Sequence, residues 1–308
     1  MRTAVVMLIV SAILFGLNSV TSKLLLTSGF SPLSLVVVRF GAGFAMLVCI
    51  NSMRRSLKGE WAPAHLGSLS IYGFTGFFVV PICYFLAIRA LPIGVAVLIE
   101  YLAPVLVAVW GRLRWKEANA VGVWIGLVLS LVGLVSVGQV WHQFGLDWPG
   151  VCFAFVAAFA LATSIVTGKV AVAERDSLVV LMWAFGIGAA LSWLVRPSLS
   201  FTNGVHVSSV HGFPVWVLVI DIIVVGTVVP YILLMEGLKR LPATRVGILA
   251  ILEPVAAILF SWAILGESLR PIQMIGAVAV LSGVMCAEFA RASVGRTGTS
   301  KRSLMARD

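Results

Sequence analysis

Apolar residues in this chain run in long blocks. They show neither the strict alternation of a half-buried strand nor the narrow stripe of a surface helix. Ten blocks stand out, at 4–26, 32–50, 66–88, 93–112, 118–137, 148–170, 178–195, 215–238, 244–265 and 271–289. Each is about 20 residues long, the length a helix needs to cross the hydrocarbon of a bilayer. Most connections between them are short. The exception, 196–213, is rich in Ser, His and Gly and has no apolar period. The first block follows Arg2 directly, as a signal peptide would. It is long, however, contains Asn18 and lacks a convincing small-residue cleavage site, so it reads as a retained helix. The pattern predicts an all-α membrane protein of ten transmembrane helices.

Composition supports this. Of 308 residues, 60% are hydrophobic and 11% charged, where a soluble domain carries roughly a quarter charged residues. The net charge of +10 would suit a nucleic-acid binder, but the basic residues sit in short clusters between apolar blocks. With the N-terminus in the cytoplasm, Arg54, Arg55 and Lys58, then Arg112, Arg114 and Lys116, then Lys169 and Arg175, then Lys239 and Arg240, all fall inside. So does the tail with Arg291, Arg296, Lys301, Arg302 and Arg307, leaving Arg89, Arg196 and Arg270 outside. The positive-inside rule therefore predicts cytoplasmic termini and removes the reason to expect nucleic acid. The polar tail, 291–308, is expected to be a disordered, basic cytoplasmic segment. Cys49, Cys83, Cys152 and Cys286 lie singly in apolar blocks, so neither a disulfide nor a metal site is expected, and no cofactor is implied.

The chain repeats itself. Leu91-Pro92 recurs as Leu241-Pro242, Pro104 as Pro254, Glu117 as Glu267, Gly126 as Gly276 and Gly133 as Gly283, all at an offset of 150. Val20-Thr21-x-Lys23 recurs as Val166-Thr167-x-Lys169 at 146, and Phe40-Gly41-x-Gly43 as Phe185-Gly186-x-Gly188 at 145. A register held over tens of residues marks a duplication. Five helices per copy is an odd number, so the second copy, 141–290, must enter the membrane from the side opposite to the first, 1–140. Two inverted five-helix repeats can open to either side by exchanging the shapes of their halves, with a substrate held near the midplane between them. A monomer suffices for this architecture.

Polar groups inside the blocks are the candidate site. Glu100 and Glu253 lie near the middle of the fourth and ninth blocks, where a bare carboxylate costs at least a few kcal/mol. Each must be paired, protonated or facing water. Proton coupling or binding of a substrate amine is one role; a structural ion pair with Arg39 or Arg245 is the other. Arg39 lies roughly 10 Å deep at 1.5 Å per residue, where it can hold a substrate carboxylate or serve structure alone. Asn18, Thr21, Tyr84, Tyr101, Thr167 and Tyr231 can bind substrate or tie helices together. Pro104 and Pro254 each free a carbonyl one turn earlier, either kinking a helix along the cavity or relieving packing, and Pro81 and Pro230 invite the same statement. Lys23 and Lys169 fall near helix ends and are expected to snorkel. Asp221 is expected to reach water, and Glu117 and Glu267 to cap helices. The glycine-rich stretches allow close helix packing, and Trp141, Trp148 and Trp193 fall where interfacial anchors sit.

Several of these residues form a set: Phe-x-x-Asn-x-x-x-x-Lys at 15–23, Arg39-Phe40, Arg89-Ala90-Leu91-Pro92 followed by Glu100 and Pro104, Leu241-Pro242, Glu253-Pro254 and Leu265-Gly266-Glu267-Ser268-Leu269. Together they resemble the drug/metabolite transporter superfamily, EamA type, over nearly the whole chain before the tail. The stretches 92–100 and 230–242 look most similar to its threonine/homoserine exporters. The resemblance implies a multi-pass protein of a bacterial inner membrane, exporting small amino acids or related metabolites, with protons as a candidate coupling ion. Efflux of larger apolar or aromatic compounds is the alternative. An intramembrane enzyme finds no support: His65, His142, His206 and His211 lie in loops or at helix ends, and the chain has no HExxH or GxSxG.

Overall fold

A computed structural model describes residues 2–54, 66–91, 93–116, 120–138, 147–173, 175–195, 209–266 and 270–305. The described helices are α1 (Arg2–Thr27), α2 (Pro32–Met53), α3 (Leu66–Phe74), α4 (Val80–Ala90), α5 (Ile93–Glu100), α6 (Ala103–Arg114), α7 (Val121–Gly138), α8 (Trp148–Ala173), α9 (Ser177–Val195), α10 (Val215–Ile223), α11 (Val229–Arg240), α12 (Ala243–Ala250), α13 (Leu252–Leu265) and α14 (Pro271–Met305). Among the described residues nine helical stretches are long and apolar enough to cross a membrane, and Val121–Ser136 is a shorter apolar one. They coincide with the ten apolar blocks. The protein is an all-α, multi-pass membrane protein.

Four of the blocks are not single α-helices. Two π turns, Thr75–Val79 and Val224–Val228, join α3 to α4 and α10 to α11. Pro81 and Pro230 follow them closely. A proline has no N–H for the carbonyl four residues back, and the ladder widens to compensate. The N–H of Val80 therefore reaches the carbonyl of Thr75, and that of Val229 reaches Val224. The other two proline positions break the helix outright. The fourth block splits between α5 and α6 at Tyr101 and Leu102, where Pro104 deprives the Glu100 carbonyl of its donor. The ninth splits between α12 and α13 at Ile251, where Pro254 does the same to Ala250. The limits of α5 and α12 correspond at the offset of 150, which is consistent with a duplicated unit.

Packing joins the two halves of the sequence. α2 lies on α9, α1 on α13 and α11, α4 on α8, and α7 on α14. The last pair meets backbone to backbone. A Cβ on Gly133 would lie 2.6 Å from the carbonyl oxygen of Gly276, and one on Gly283 2.6 Å from that of Gly126. The glycines thus act as expected, by letting two helices approach to a distance that any side chain forbids.

Two details depart from expectation. The tail does not stop the last helix, which continues to Met305; no proline interrupts it, and a helix already formed extends at one hydrogen bond per residue. The long connection contains a small hairpin, β1 (Ser209–Val210) paired with β2 (Phe213–Pro214). His211 and Gly212 between them have φ of 49° and 81°, the paired positive values of a two-residue hairpin turn. Glu117, Glu267, Arg55, Lys58, Pro92, Arg196, Trp141, His65, His142 and His206 lie outside the described residues.

Candidate substrate site between the two halves

The breaks and π turns bring side chains from five spans to one depth. Glu100 ends α5 and Glu253 stands in the first turn of α13, so each sits at an interruption in its span. Their carboxyls are within electrostatic reach of each other. Tyr101, in the gap after α5, donates its hydroxyl hydrogen to Glu253. Tyr84 of α4 lies near both carboxyls, and Tyr231 of α11 near both and near Arg39. Arg39 of α2 donates from Nε to Thr227 Oγ1 at 3.1 Å and lies over the Phe40 ring, 5.0 Å from its centroid. Glu100, Glu253, Arg39, Tyr84 and Tyr231 are enclosed by helices yet only half-buried. A charged side chain that keeps partial exposure within a span needs a polar recess rather than lipid, so these residues mark an internal cleft.

The structural alternative for the two carboxyls does not hold with Arg245. That guanidinium grips Glu288 of α14, with Nε 2.8 Å from both carboxylate oxygens and Nη2 also in contact. Neither Glu100 nor Glu253 makes an ion pair with a described residue. Arg39 acts on Glu253 through space without a salt bridge. This leaves a cation and two carboxyls around one cleft, with no ion pair among them.

An aromatic cluster lies beneath. The ring of Tyr231 contacts Phe15 (4.8 Å), Phe77 (5.0 Å) and Phe185 (5.5 Å), and Phe77 stands edge-on to Phe40 (5.1 Å) and Tyr72 (5.2 Å). Phe40, Tyr72, Phe77 and Phe185 are buried. Beyond the cluster the structure is tight: Ala243, Thr244, Val246, Gly247, Ile248 and Leu249 of α12 are all buried. The opposite end is looser. Every residue from Val80 to Leu86 in α4 is partly exposed, whichever face of the helix it occupies. The α12 side is thus the more tightly packed and the α4 side the more exposed.

The remaining sequence candidates divide clearly. Asn18 is buried against Gly226 of the second π turn, and its Oδ1 has no hydrogen-bond partner among the described residues. Thr21 ties helices together, donating to Asp221 at 2.6 Å, so Asp221 has a protein partner instead of facing water alone. Thr167 bonds its own helix, to the carbonyl of Thr163 at 2.7 Å. Lys169 does not simply snorkel; it donates to the carbonyls of Leu238 and Lys239, the end of α11, where a cation meets the negative helix terminus. Pro104, Pro230 and Pro254 are buried, and Pro104 rests against Gly247. Their rings do not line the cleft; their missing donors shape it. Only Pro81 keeps some exposure.

Sequence reading passed over Thr227, Tyr72, Glu236 and Glu288. Glu236 of α11 accepts from Ser177 and from Arg240, each at 2.7 Å. Thr227 had a usable signal. It corresponds to Phe78 at the 149-residue offset between the π turns, and a polar residue with an apolar repeat mate is the departure that marks Arg39, whose mate is Ala184.

The family model for EamA-like transporters matches the chain twice, over residues 2–139 and 148–288. The chain belongs to the EamA-like transporter family. It is a transporter and not an enzyme. Among its relatives is an uncharacterized transporter of Archaeoglobus fulgidus, 27% identical over 289 residues, which span 93% of this chain and 97% of that protein. The threonine/homoserine exporter RhtA of Salmonella typhimurium is 26% identical over 308 residues, covering 98% and 95%. RhtA of Escherichia coli K12 is 30% identical over 204 residues, covering 66% and 64%. A solved crystal structure superposes with a TM-score of 0.78 at 20% identity, covering 94% of this chain and 98% of its own, and so shares the fold.

Proposed function

We propose that the protein is a secondary transporter of a bacterial inner membrane that exports small amino acids or closely related metabolites. The observation that carries this reading is the gathering of Arg39, Glu100 and Glu253 at one half-buried cleft between the two halves of the chain, with no ion pair among them. A zwitterion presents one carboxylate and one ammonium, and such a cleft offers a partner for each. Tyr84, Tyr101 and Tyr231 supply hydroxyls and ring faces beside the charged groups. The relatives named as threonine/homoserine exporters support the substrate class.

The two copies are inverted repeats in this reading. With both termini in the cytoplasm, the tightly packed α12 side is the cytoplasmic one, and in this reading the cleft opens to the outside. Export then requires the α5–α6 and α12–α13 breaks to exchange roles, so that the α12 side opens and the α4 side closes. The two π turns are the hinges, because a ladder already widened loses least when it bends. Protons can be the coupling ion at the carboxyl pair. Efflux of larger apolar compounds fits less well, since the rings beneath the cleft pack on one another.

The test is flux. Purified protein in liposomes loaded with radiolabelled amino acids, including threonine and homoserine, should release them faster than protein-free vesicles, with the rate responding to an imposed pH gradient if protons are coupled. No flux for any of a broad panel, with or without the gradient, would overturn the reading.

A further inference from the structure

The guanidinium of Arg39 is not free to turn. Its Nε–H donates to Thr227 Oγ1 at 3.1 Å, and the Thr227 hydroxyl in turn donates to the carbonyl of Ile222 at 2.7 Å. Thr227 is fully buried at 0% exposure, so neither bond competes with water. Ile222 lies five residues back, and its carbonyl is reached only because the chain is in a π turn here. The Phe40 ring supports the guanidinium from one face. An arginine has five donors in a planar fork. Fixing Nε fixes the plane and sends both terminal nitrogens the same way. Neither terminal nitrogen makes a hydrogen bond to a described residue, and the groups acting on Arg39 through space are Tyr231 and Glu253, which face the cleft. A parallel pair of N–H donors held in one plane matches the two oxygens of a carboxylate.

We infer that Thr227 is the positioning residue of the site: by holding Arg39 through Nε, it builds a carboxylate subsite and sets the preference for substrates bearing a carboxylate over their carboxylate-free analogues. The inference rests on the transport reading above and adds the group that confers its selectivity. It also links the subsite to the second π turn, so a carboxylate on Arg39 is bound to the segment that must bend.

The experiment compares wild type, T227V and T227S in proteoliposomes. Valine keeps the shape of threonine and removes the hydroxyl; serine keeps the hydroxyl. The probes are L-threonine, its methyl ester and 1-amino-2-propanol, which is threonine without its carboxyl. T227V is expected to raise the KM for threonine about tenfold, the loss of one hydrogen bond to a charged group, with its maximal rate within about twofold. Inhibition by the ester and the amino alcohol should change less than about threefold, and T227S should behave as wild type. The assignment is overturned if T227V weakens all three probes alike, if it weakens none, or if T227S is as impaired as T227V. A wild type that carries the amino alcohol but not threonine also overturns it while leaving a transporter. A wild type that carries none of the three overturns the assignment, and the transport reading falls with it only if the broad amino-acid panel also shows no flux. Should T227V fail to fold, R39K asks the same question, because lysine keeps the charge and lacks both the fork and Nε.

Discussion

Replacing Glu288 with glutamine should destabilise the protein by more than an ordinary surface change, and the geometry gives the size. Arg245 meets Glu288 through Nε, 2.8 Å from both carboxylate oxygens, and through Nη2, with side chains 17% and 18% exposed. A solvent-exposed pair contributes about 0–1 kcal/mol, and removing one partner of a fully buried pair costs about 3–5 kcal/mol. Most of the water is excluded here, so the cost of E288Q falls between these limits, at about 2–3 kcal/mol. For a chain of this size that is a fall of about 5 °C in melting temperature, extrapolating from about 2 °C per kcal/mol. R245M should do the same. The double variant R245M/E288M removes both charges and fills the space with apolar side chains, so it should lie within about 1 kcal/mol of wild type. Thermal melts of the four proteins in one detergent give the coupling energy directly. If the two single effects simply add in the double variant, the pair is not the strut between α12 and α14 that its geometry describes.

Other outcomes follow from the same structure. G133V places a side chain where a Cβ alone already comes within 2.6 Å of the Gly276 carbonyl oxygen; it should lower the melting temperature by more than E288Q, or prevent folding, as a thermal melt would read. E100Q and E253Q should each reduce amino-acid flux at least about tenfold in proteoliposomes, while E236Q, outside the cleft, should keep most of it. P230A restores the missing N–H and lets the π turn regularise, so transport should fall through maximal rate more than through KM. T21V removes the 2.6 Å bond to Asp221; a melting temperature lowered by a few degrees, with the KM for threonine unchanged, is expected.

Much of the fold was legible in the chain because the bilayer imposes its thickness on the sequence. Among the described residues, nine of the ten apolar blocks became helices long enough to span and the tenth a shorter apolar helix. Proline 81, 104, 230 and 254 marked the four interrupted spans, since a missing N–H is a property of the residue itself. What proline does about that deficit was not legible. Two of the four made π turns and two broke their helices, and the choice depends on which neighbouring groups and packing surfaces accept the freed carbonyls. The candidate site shows the same division. Glu100, Glu253 and Arg39 stood out because charge in hydrocarbon is costly wherever it occurs. Thr227 did not, because a threonine in a helix can satisfy itself on its own backbone, as Thr167 does on Thr163.

The sequence by itself determined the class of the protein, its approximate spans, its duplication and which residues were too polar to face lipid. These are consequences of composition and spacing, read one segment at a time. Only the tertiary structure decided the partners. Arg245 could have neutralised a cleft carboxyl and instead holds Glu288; Asp221 could have faced water and instead receives Thr21; Arg39 could have turned freely and is instead held by Thr227. Each outcome depends on distances between residues dozens to hundreds of positions apart. Charge and hydrogen bonding act over a few ångströms, so which of several suitable partners is used is fixed only when the helices are packed.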